Sequence, residues 1–122
     1  MAKTIKGRKI FNATPHSINF DVDGEIVIIE APEKQYIISA VAEEKQVTEI
    51  FVTTNFVGNT EGKKIIERIW EQHGDDIIIV GSIIAAQAYP GDVVAMTPAK
   101  GYERVAPAEK RMNPDKFTIF KN

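Results

Sequence analysis

The sequence contains no cysteine, and this absence removes several kinds of site at once. Disulfide bonds, thiolate nucleophiles and cysteine-ligated zinc are excluded, and a chain without cysteine suits a reducing compartment. Only two histidines are present, His16 and His73, and they stand far apart in the sequence. A zinc site would need both imidazoles and a carboxylate, so we expect no metal and no cofactor.

Long hydrophobic runs are also missing, since none approaches the roughly 20 residues that a membrane helix requires. The basic start, residues 1–9, is followed by no apolar segment of signal-peptide length, which favours a cytoplasmic location without a membrane partner. Hydrophobic residues make up 43% of the chain and charged residues 26%, values typical of globular domains. At 122 residues we expect a single domain, 1–122.

The net charge is only −2, but it is distributed unevenly. Residues 100–122 carry +3 and the remainder −5, which predicts a basic C-terminal tail over about 100–122. A solvated face is the simplest interpretation of such a run, and contact with phosphates or an acidic partner is the alternative. Phe117 and Phe120 are spaced as in a strand, and we expect them to cover the core or a subunit contact. We do not expect them to stack on nucleic acid bases.

The first half of the chain carries mainly strand signals. Residues 10–12 indicate a first strand, and residues 18–22 and 25–30 flank Asp23-Gly24, a two-residue turn that predicts an antiparallel hairpin. Residues 36–41 and 50–56 are rich in β-branched and aromatic side chains, which predicts two further strands. The charged stretch 43–46 between them is interpreted as a turn.

The second half alternates helices with strands. A helix is predicted over 60–73, with Thr60 as N-cap and Gly74 as its end, and its apolar stripe is Ile65, Ile66, Ile69 and Trp70. Residues 76–80 indicate a strand buried on both faces, Ser82 caps a short helix that ends at Pro90-Gly91, and 93–96 form another strand. The predicted fold is α/β with a mixed sheet: an antiparallel hairpin region joined to a short βαβαβ unit with two helices.

The polar residues near these strand ends suggest a ligand site. Ser82 begins a helix, where free backbone N–H groups can hold an anion, and Asp92 follows the next turn. We expect the loop containing Thr14 and His16 to lie nearby, with positive charge from one or both of two arginines, Arg104 and Arg111. Each residue also has a simpler interpretation, because Ser82 can be only a cap and Asp92 only a turn residue.

Three blocks of the sequence carry a resemblance. Asn-Ala-Thr-Pro-His-Ser-Ile-Asn-Phe at 12–20 is followed far downstream by Ser-Ile-Ile-Ala-Ala-Gln-Ala at 82–88 and Gly-Asp-Val-Val at 91–94. This pattern resembles a group of small uncharacterised bacteriophage and prophage proteins with an Asn-x-Thr-Pro-His block and a Ser-x-x-x-Ala-Gln-Ala helix. The segment 101–104 departs from the Arg-Asp and glycine-rich ending expected of that group. The resemblance implies a phage accessory protein in the cytoplasm of an infected bacterium.

Three functions remain open. A binding protein would counteract host antiviral defence by capturing a nucleotide-like signal, another small anion or a defence protein. A small hydrolase or transferase would act on a nucleotide or phosphate ester at the Ser82 turn, and a virion or assembly component is the third alternative. No complete acid–base or metal constellation is evident in the sequence, which favours binding over catalysis. The many short apolar strands and the aromatic end 117–120 predict a symmetric homo-oligomer.

Overall fold

In the computed structural model, which describes residues 2–121, nine strands form three sheets and two α-helices cover a face of the first sheet. This is the mixed α/β class that the sequence predicts. The elements, in groups, are the strands β1 (Ala2–Ile5), β2 (Arg8–Asn12), β3 (Ile18–Val22), β4 (Glu25–Ile29), β5 (Val41–Gln46), β6 (Val52–Val57), β7 (Ile78–Val80), β8 (Ala95–Pro98) and β9 (Met112–Thr118), and the helices α1 (Thr60–His73) and α2 (Ile83–Ala88).

The first two sheets are joined through the segment that leads into β8. The first sheet has the order β1-β2-β7, with β1 antiparallel and β7 parallel to β2. Val80 at the end of β7 forms a parallel bridge with Val94, and the next residue begins β8 in the second sheet, β4-β3-β9-β8. The same stretch of chain therefore contributes to both sheets.

Strands β2 and β7 are buried on both faces. Ile10 and Val80 pack in one apolar cluster with Phe20 of the second sheet, whereas Phe11 and Ile79 pack in another cluster beneath the two helices. Successive side chains of a strand point to opposite faces, so the uninterrupted apolar runs serve both clusters. The prediction that residues 76–80 contain a doubly buried strand is confirmed.

The hairpin β3–β4 is also confirmed. Its turn residues Asp23 and Gly24 have φ angles of 54° and 89°, the left-handed conformation that a two-residue hairpin turn of this type requires at both positions. The Asp21 carboxylate accepts a hydrogen bond of 2.9 Å from the Gly24 amide and so closes the turn.

Both helices begin with a side-chain cap. The Oδ1 atom of Asn59 accepts from the Gly62 amide at 2.9 Å, so Asn59 is the N-cap of α1 instead of Thr60. The predicted cap of the second helix is confirmed, since Ser82 Oγ accepts from the Ala85 amide at 3.1 Å. Helix α1 ends at Gly74 as expected. No helix within residues 2–121 combines the length and the apolar character needed to cross a membrane.

The interpretation of residues 36–57 needs correction. Residues 34–36 form a 3-10 turn, and strand β5 occupies 41–46, where a turn was predicted. The βαβαβ unit implied that the strand at 50–56 pairs in parallel with the strand at 76–80, and this pairing is wrong. Strand β6 pairs antiparallel with β5, whereas β7 pairs in parallel with β2. The charged β5 can be a strand because neither of its faces is buried. The second βαβ crossover, from β7 through α2 to Val94, is confirmed by the parallel bridge.

Much of the basic segment 100–122 belongs to the fold. Strand β9 lies between β3 and β8, which makes it a central strand of the second sheet. Its Phe117 packs edge-on against Phe20 with ring centroids 6.2 Å apart, and Phe120 packs against the cluster beneath the helices. Both phenylalanines therefore cover the core, as one of the two sequence interpretations proposed.

Candidate functional site

The loop after β2 is organised by the fully buried side chain of Asn12. Its Oδ1 accepts from the Thr14 amide at 2.9 Å and lies 2.7 Å from the Thr14 hydroxyl. Its Nδ2 donates toward three carbonyl oxygens, those of His16 (2.7 Å), Ile29 (3.1 Å) and Glu30 (3.2 Å). The side chain thus connects the loop to the end of β4, and it is the main structural element of the Asn-x-Thr-Pro-His block.

The two predicted binding residues of this loop differ in exposure. Thr14 is buried, and its hydroxyl also contacts the carbonyl oxygen and the amide of His16, at 2.9 and 3.3 Å. The polar atoms of Thr14 therefore hold the turn together. His16 itself is exposed at the surface.

Ser82 lies at the same edge of the first sheet as this loop. Strands β2 and β7 are parallel with Asn12 paired to Val80, and the Ala13 amide donates to the Val80 carbonyl at 2.9 Å. Strands β2 and β7 both end here, so their register places the loop after β2 and the Ser82 turn at the same edge of the sheet. The Ser82 hydroxyl, however, is engaged in capping α2, a helix of only six residues.

Asp92 lies in the turn between α2 and Val94, which forms a parallel bridge with Val80. The Asp92 amide donates to the Tyr89 carbonyl at 3.1 Å, so the backbone is folded into a turn at this point. Asp92 lines a surface depression with residues of α1, including Lys63 and Glu67. Ligand binding by Asp92 stays a prediction.

The two predicted arginines also differ from each other. Arg111 is held at the β3–β4 turn, where its Nη1 donates to the Gly24 carbonyl at 3.3 Å and lies 3.9 Å from Asp21 Oδ1. Its guanidinium also sits 5.0 Å from the ring centre of Tyr102. Arg104 is exposed in the loop between β8 and β9. Ligand binding by these residues stays a prediction.

A cavity that the sequence interpretation missed lies beside Phe11. Its volume is about 480 Å³, within the range of small-molecule sites. The Phe11 ring packs edge-on against Tyr36, with centroids 6.0 Å apart, and is tilted against the ring of His73 at 5.6 Å. The wall combines apolar and polar residues from four segments: Ala2, Phe11, Ala31, Pro32, Glu33, Tyr36, Gln72 and His73.

Polar atoms of this cavity, here called the Phe11 cavity, are partly committed to neighbours. The Tyr36 hydroxyl accepts from Gln72 Nε2 at 2.7 Å, so its own proton can be donated to a ligand. The Glu33 Oε2 atom accepts from Gln35 Nε2 at 2.8 Å, and its second oxygen can accept from a ligand. Lys9 Nζ donates to the His73 carbonyl at 2.7 Å and lies 3.4 Å from Asp76 Oδ1, so the positive charge next to this cavity residue is shared with a carboxylate.

The Phe11 cavity escaped sequence reasoning because its residues come from distant elements. Phe11 lies on β2, Tyr36 ends the 3-10 turn 34–36 although a strand was predicted to begin there, and Gln72 and His73 end α1. The local signal was His73, whose place at the end of a helix is explained by the helix dipole without a ligand. Its proximity to Phe11 depends on how α1 packs on the sheet.

A charged cluster at the β1–β2 turn ties that hairpin to β9. Asp115 accepts from Arg8 at 2.8 Å and from Lys6 at 2.9 Å, and Lys6 also lies 3.5 Å from Asp23. The hydrogen bonds from Arg8 and Lys6 hold the pKa of Asp115 below its ordinary value. The hydrogen bond to Asp115 in turn raises the pKa of Lys6. All of these groups are solvent-accessible, so water screens the cluster.

Within residues 2–121, no group of three or more histidine, aspartate or glutamate side chains is arranged to hold a metal ion. Comparisons with known proteins add no assignment: no family model matches this sequence, no curated protein matches it, and no solved structure matches its fold.

Proposed function

We propose that this protein is a binding protein that captures a small molecule with a planar heterocyclic ring in the Phe11 cavity. The observation that carries the proposal is the combination of a 480 Å³ volume with the rings of Phe11, Tyr36 and His73. Aromatic walls of this kind favour flat ligands, because offset and edge-on ring contacts add to the burial of apolar surface.

The polar groups of the cavity narrow the ligand class. The Tyr36 hydroxyl supplies a donor and the Glu33 carboxylate an acceptor, which together suit a ring that carries both an acceptor and an N–H group. Nucleobases have this pattern. A carboxylate in the wall disfavours an anion inside the cavity, so we expect a phosphate, if present, to point outward toward Lys9.

We infer the biological setting from the resemblance of the sequence motifs to small phage proteins. In an infected bacterium, sequestering a nucleotide-like signal would counteract an antiviral defence that depends on it. This part of the proposal is supported by the sequence motifs alone. The cavity itself supports small-molecule capture more than capture of a defence protein, because it is concave and of ligand size.

Titration calorimetry with the four ribonucleosides and their monophosphates tests the proposal. We expect at least one of them to bind and Glu33→Gln or Tyr36→Phe to weaken it by roughly tenfold or more, the scale of one hydrogen bond to a charged or buried group. Tyr36→Phe keeps the ring and removes only the hydroxyl. Ser82→Ala and Arg104→Ala are the matched controls and should leave the affinity unchanged.

Three outcomes would contradict the assignment. If none of the compounds binds, nucleobases are excluded as the ligand class. If Glu33→Gln and Tyr36→Phe both bind as tightly as wild type, the Phe11 cavity is excluded as the site. Loss of affinity in Ser82→Ala or Arg104→Ala, with the cavity variants unaffected, would favour the sheet edge near Ser82. If chromatography shows that the protein converts a bound compound into a product, the hydrolase or transferase alternative is favoured.

A further inference from the structure

The hairpin β5–β6, residues 41–57 and here called the arm, lacks a core of its own. It is paired from Val41 opposite Val57 to Gln46 opposite Val52, and neither strand pairs with a third strand within the part of the chain that the structure describes. Strand β6 also packs against α2, and its last two residues are half-buried. All six residues of β5 and the first four of β6 are exposed. Isolated two-stranded ribbons are marginally stable in water, which predicts that a partner surface covers the arm.

The tip of the arm presents a contiguous apolar surface. Ile50 is 82% exposed, Phe51 63% and Val47 60%. The tip has a defined shape, because the Val47 amide donates to the Phe51 carbonyl at 3.0 Å and the Phe51 amide donates to the Thr48 hydroxyl at 3.1 Å. Single exposed apolar residues are common, but a cluster of large ones marks an interaction surface.

The charge of the arm identifies the kind of partner. The arm carries three glutamates and one lysine, for a net charge of −2; they are Glu43, Glu44, Glu49 and Lys45. A groove between the 34–36 turn and α1 carries the opposite charge of +2, with two half-buried isoleucines beside the charged side chains; its lining includes Lys34, Ile37, Glu61, Lys64, Ile65 and Arg68. Within residues 2–121, no ion pair engages any of these charged groups of the arm or the groove.

The groove is near in sequence to the base of the arm, the Val41–Val57 pair, which explains why the tip of the arm cannot fill the groove of its own chain. Ile37 is four residues before the arm begins, and Glu61 is four residues after it ends. Six paired residues extend a ribbon by about 20 Å, so the tip is held away from its own groove. In a two-fold dimer, the tip of each arm can reach the groove of the other copy, and the same contact is made twice.

We propose that the arm of one copy docks its apolar tip on the groove of a second copy, and that the reciprocal contact forms a two-fold dimer. Glu49 at the tip then faces Lys34, Lys64 and Arg68 of the second copy, while the apolar tip covers Ile37 and Ile65. This interface is independent of the ligand proposed for the Phe11 cavity.

Sedimentation velocity at micromolar concentration tests the dimer with exposed substitutions that leave the core intact. We expect wild-type protein at twice the mass of one chain. Ile50→Ser removes the most exposed apolar side chain of the tip and should raise the dissociation constant by about tenfold or more. Ile26→Ser on β4, where the side chain is 48% exposed, is the matched control and should leave the dimer intact.

A charge swap tests the groove specifically. Lys64→Glu should weaken the dimer, Glu49→Lys should weaken it comparably, and the two changes together should restore much of the affinity. A monomeric wild type, or a dimer insensitive to Ile50→Ser, would overturn the proposal. Sensitivity to the arm changes without sensitivity to the groove changes would show that two arms pair with each other or with another surface. Circular dichroism on each variant verifies that it is folded.

Discussion

Removal of the Asn12 side chain gives the sharpest test of how the loop after β2 is held. In Asn12→Ala, the Thr14 amide loses its acceptor and the Ile29 carbonyl loses a donor, both in buried surroundings. A buried polar group left without its partner costs about 1–3 kcal/mol. The Thr14 hydroxyl also loses a buried acceptor, but it can donate to the His16 carbonyl instead. The two remaining contacts are partly buried, where water can replace the amide, so we expect a total loss of about 3 kcal/mol in the free energy of unfolding.

A loss of that size is large for a domain whose stability typically lies between about 5 and 15 kcal/mol. It corresponds to a decrease in Tm of roughly 10 °C for a chain of this length. Urea unfolding followed by circular dichroism measures the free energy directly. Asn19→Ala is the matched control, since Asn19 is half-buried on the neighbouring β3, and it should cost less than about 1 kcal/mol. Equal losses in the two variants would refute the reasoning.

Asn12→Asp tests the direction in which stability changes with pH. The substitution keeps the shape but replaces the donating amide by a carboxyl that faces the carbonyl oxygens of His16, Ile29 and Glu30. Burial and these oxygens raise the pKa of the new carboxyl in the folded state above its unfolded value of about 3.9. Relative to wild type, the variant should therefore be least destabilised below about pH 4 and lose further stability as the pH rises through the folded pKa. A variant that becomes more stable toward neutral pH would contradict this account.

Three further predictions concern stability. Gly62→Ala should destabilise the protein by about 1–3 kcal/mol in urea unfolding, although alanine favours helices, because the new Cβ would lie 1.8 Å from the Tyr89 hydroxyl oxygen; a gain would contradict this packing. Asp115→Asn should be less stable than wild type near neutral pH and equally stable well below pH 4, since a lowered pKa stabilises above the unfolded pKa and is lost on acidification; a pH-independent difference would exclude the ion pairs as its cause. Ser82→Ala should cost about 1 kcal/mol as a lost helix cap, and no loss would argue against the capping bond.

Local patterns were sufficient for elements whose sequence signals act over a few residues. The Asp23-Gly24 turn, the apolar stripe of α1 and the Ser82 cap each depend on neighbours in sequence, and the structure shows all three. The strand β7 was recognised for the same reason, because a run of β-branched residues suits a strand with both faces covered. The doubly buried interior of the sheet follows directly from that run.

Strand pairing was not predictable in the same way. The sequence predicted the strand at 50–56 as the parallel partner of β7, because these two strands flank α1 in the chain. The structure pairs β7 with β2, whose Ile10 and Phe11 face different apolar clusters. Strand β6 instead pairs with the charged β5, which composition had assigned to a turn. The choice depends on which strand can bury both faces, and that is a property of the whole fold.

The candidate sites divide in a similar way. The sequence located the polar loop with Thr14 and His16 and a capped helix at Ser82, but it did not show that Asn12 is buried or that Asp92 lies beside residues of α1. The Phe11 cavity needed tertiary structure entirely, since it arises where β2, the 34–36 turn and the end of α1 meet.

The sequence by itself therefore determined the α/β class, the β3–β4 hairpin, both helices and the doubly buried character of β7, because hydrophobic periodicity, caps and turns are encoded over short distances. Only the tertiary structure decided the β2–β7 pairing, the exposed arm and the Phe11 cavity. These features arise from contacts between segments that are remote in sequence, and burial of both faces of the first sheet selects among pairings that composition leaves equivalent.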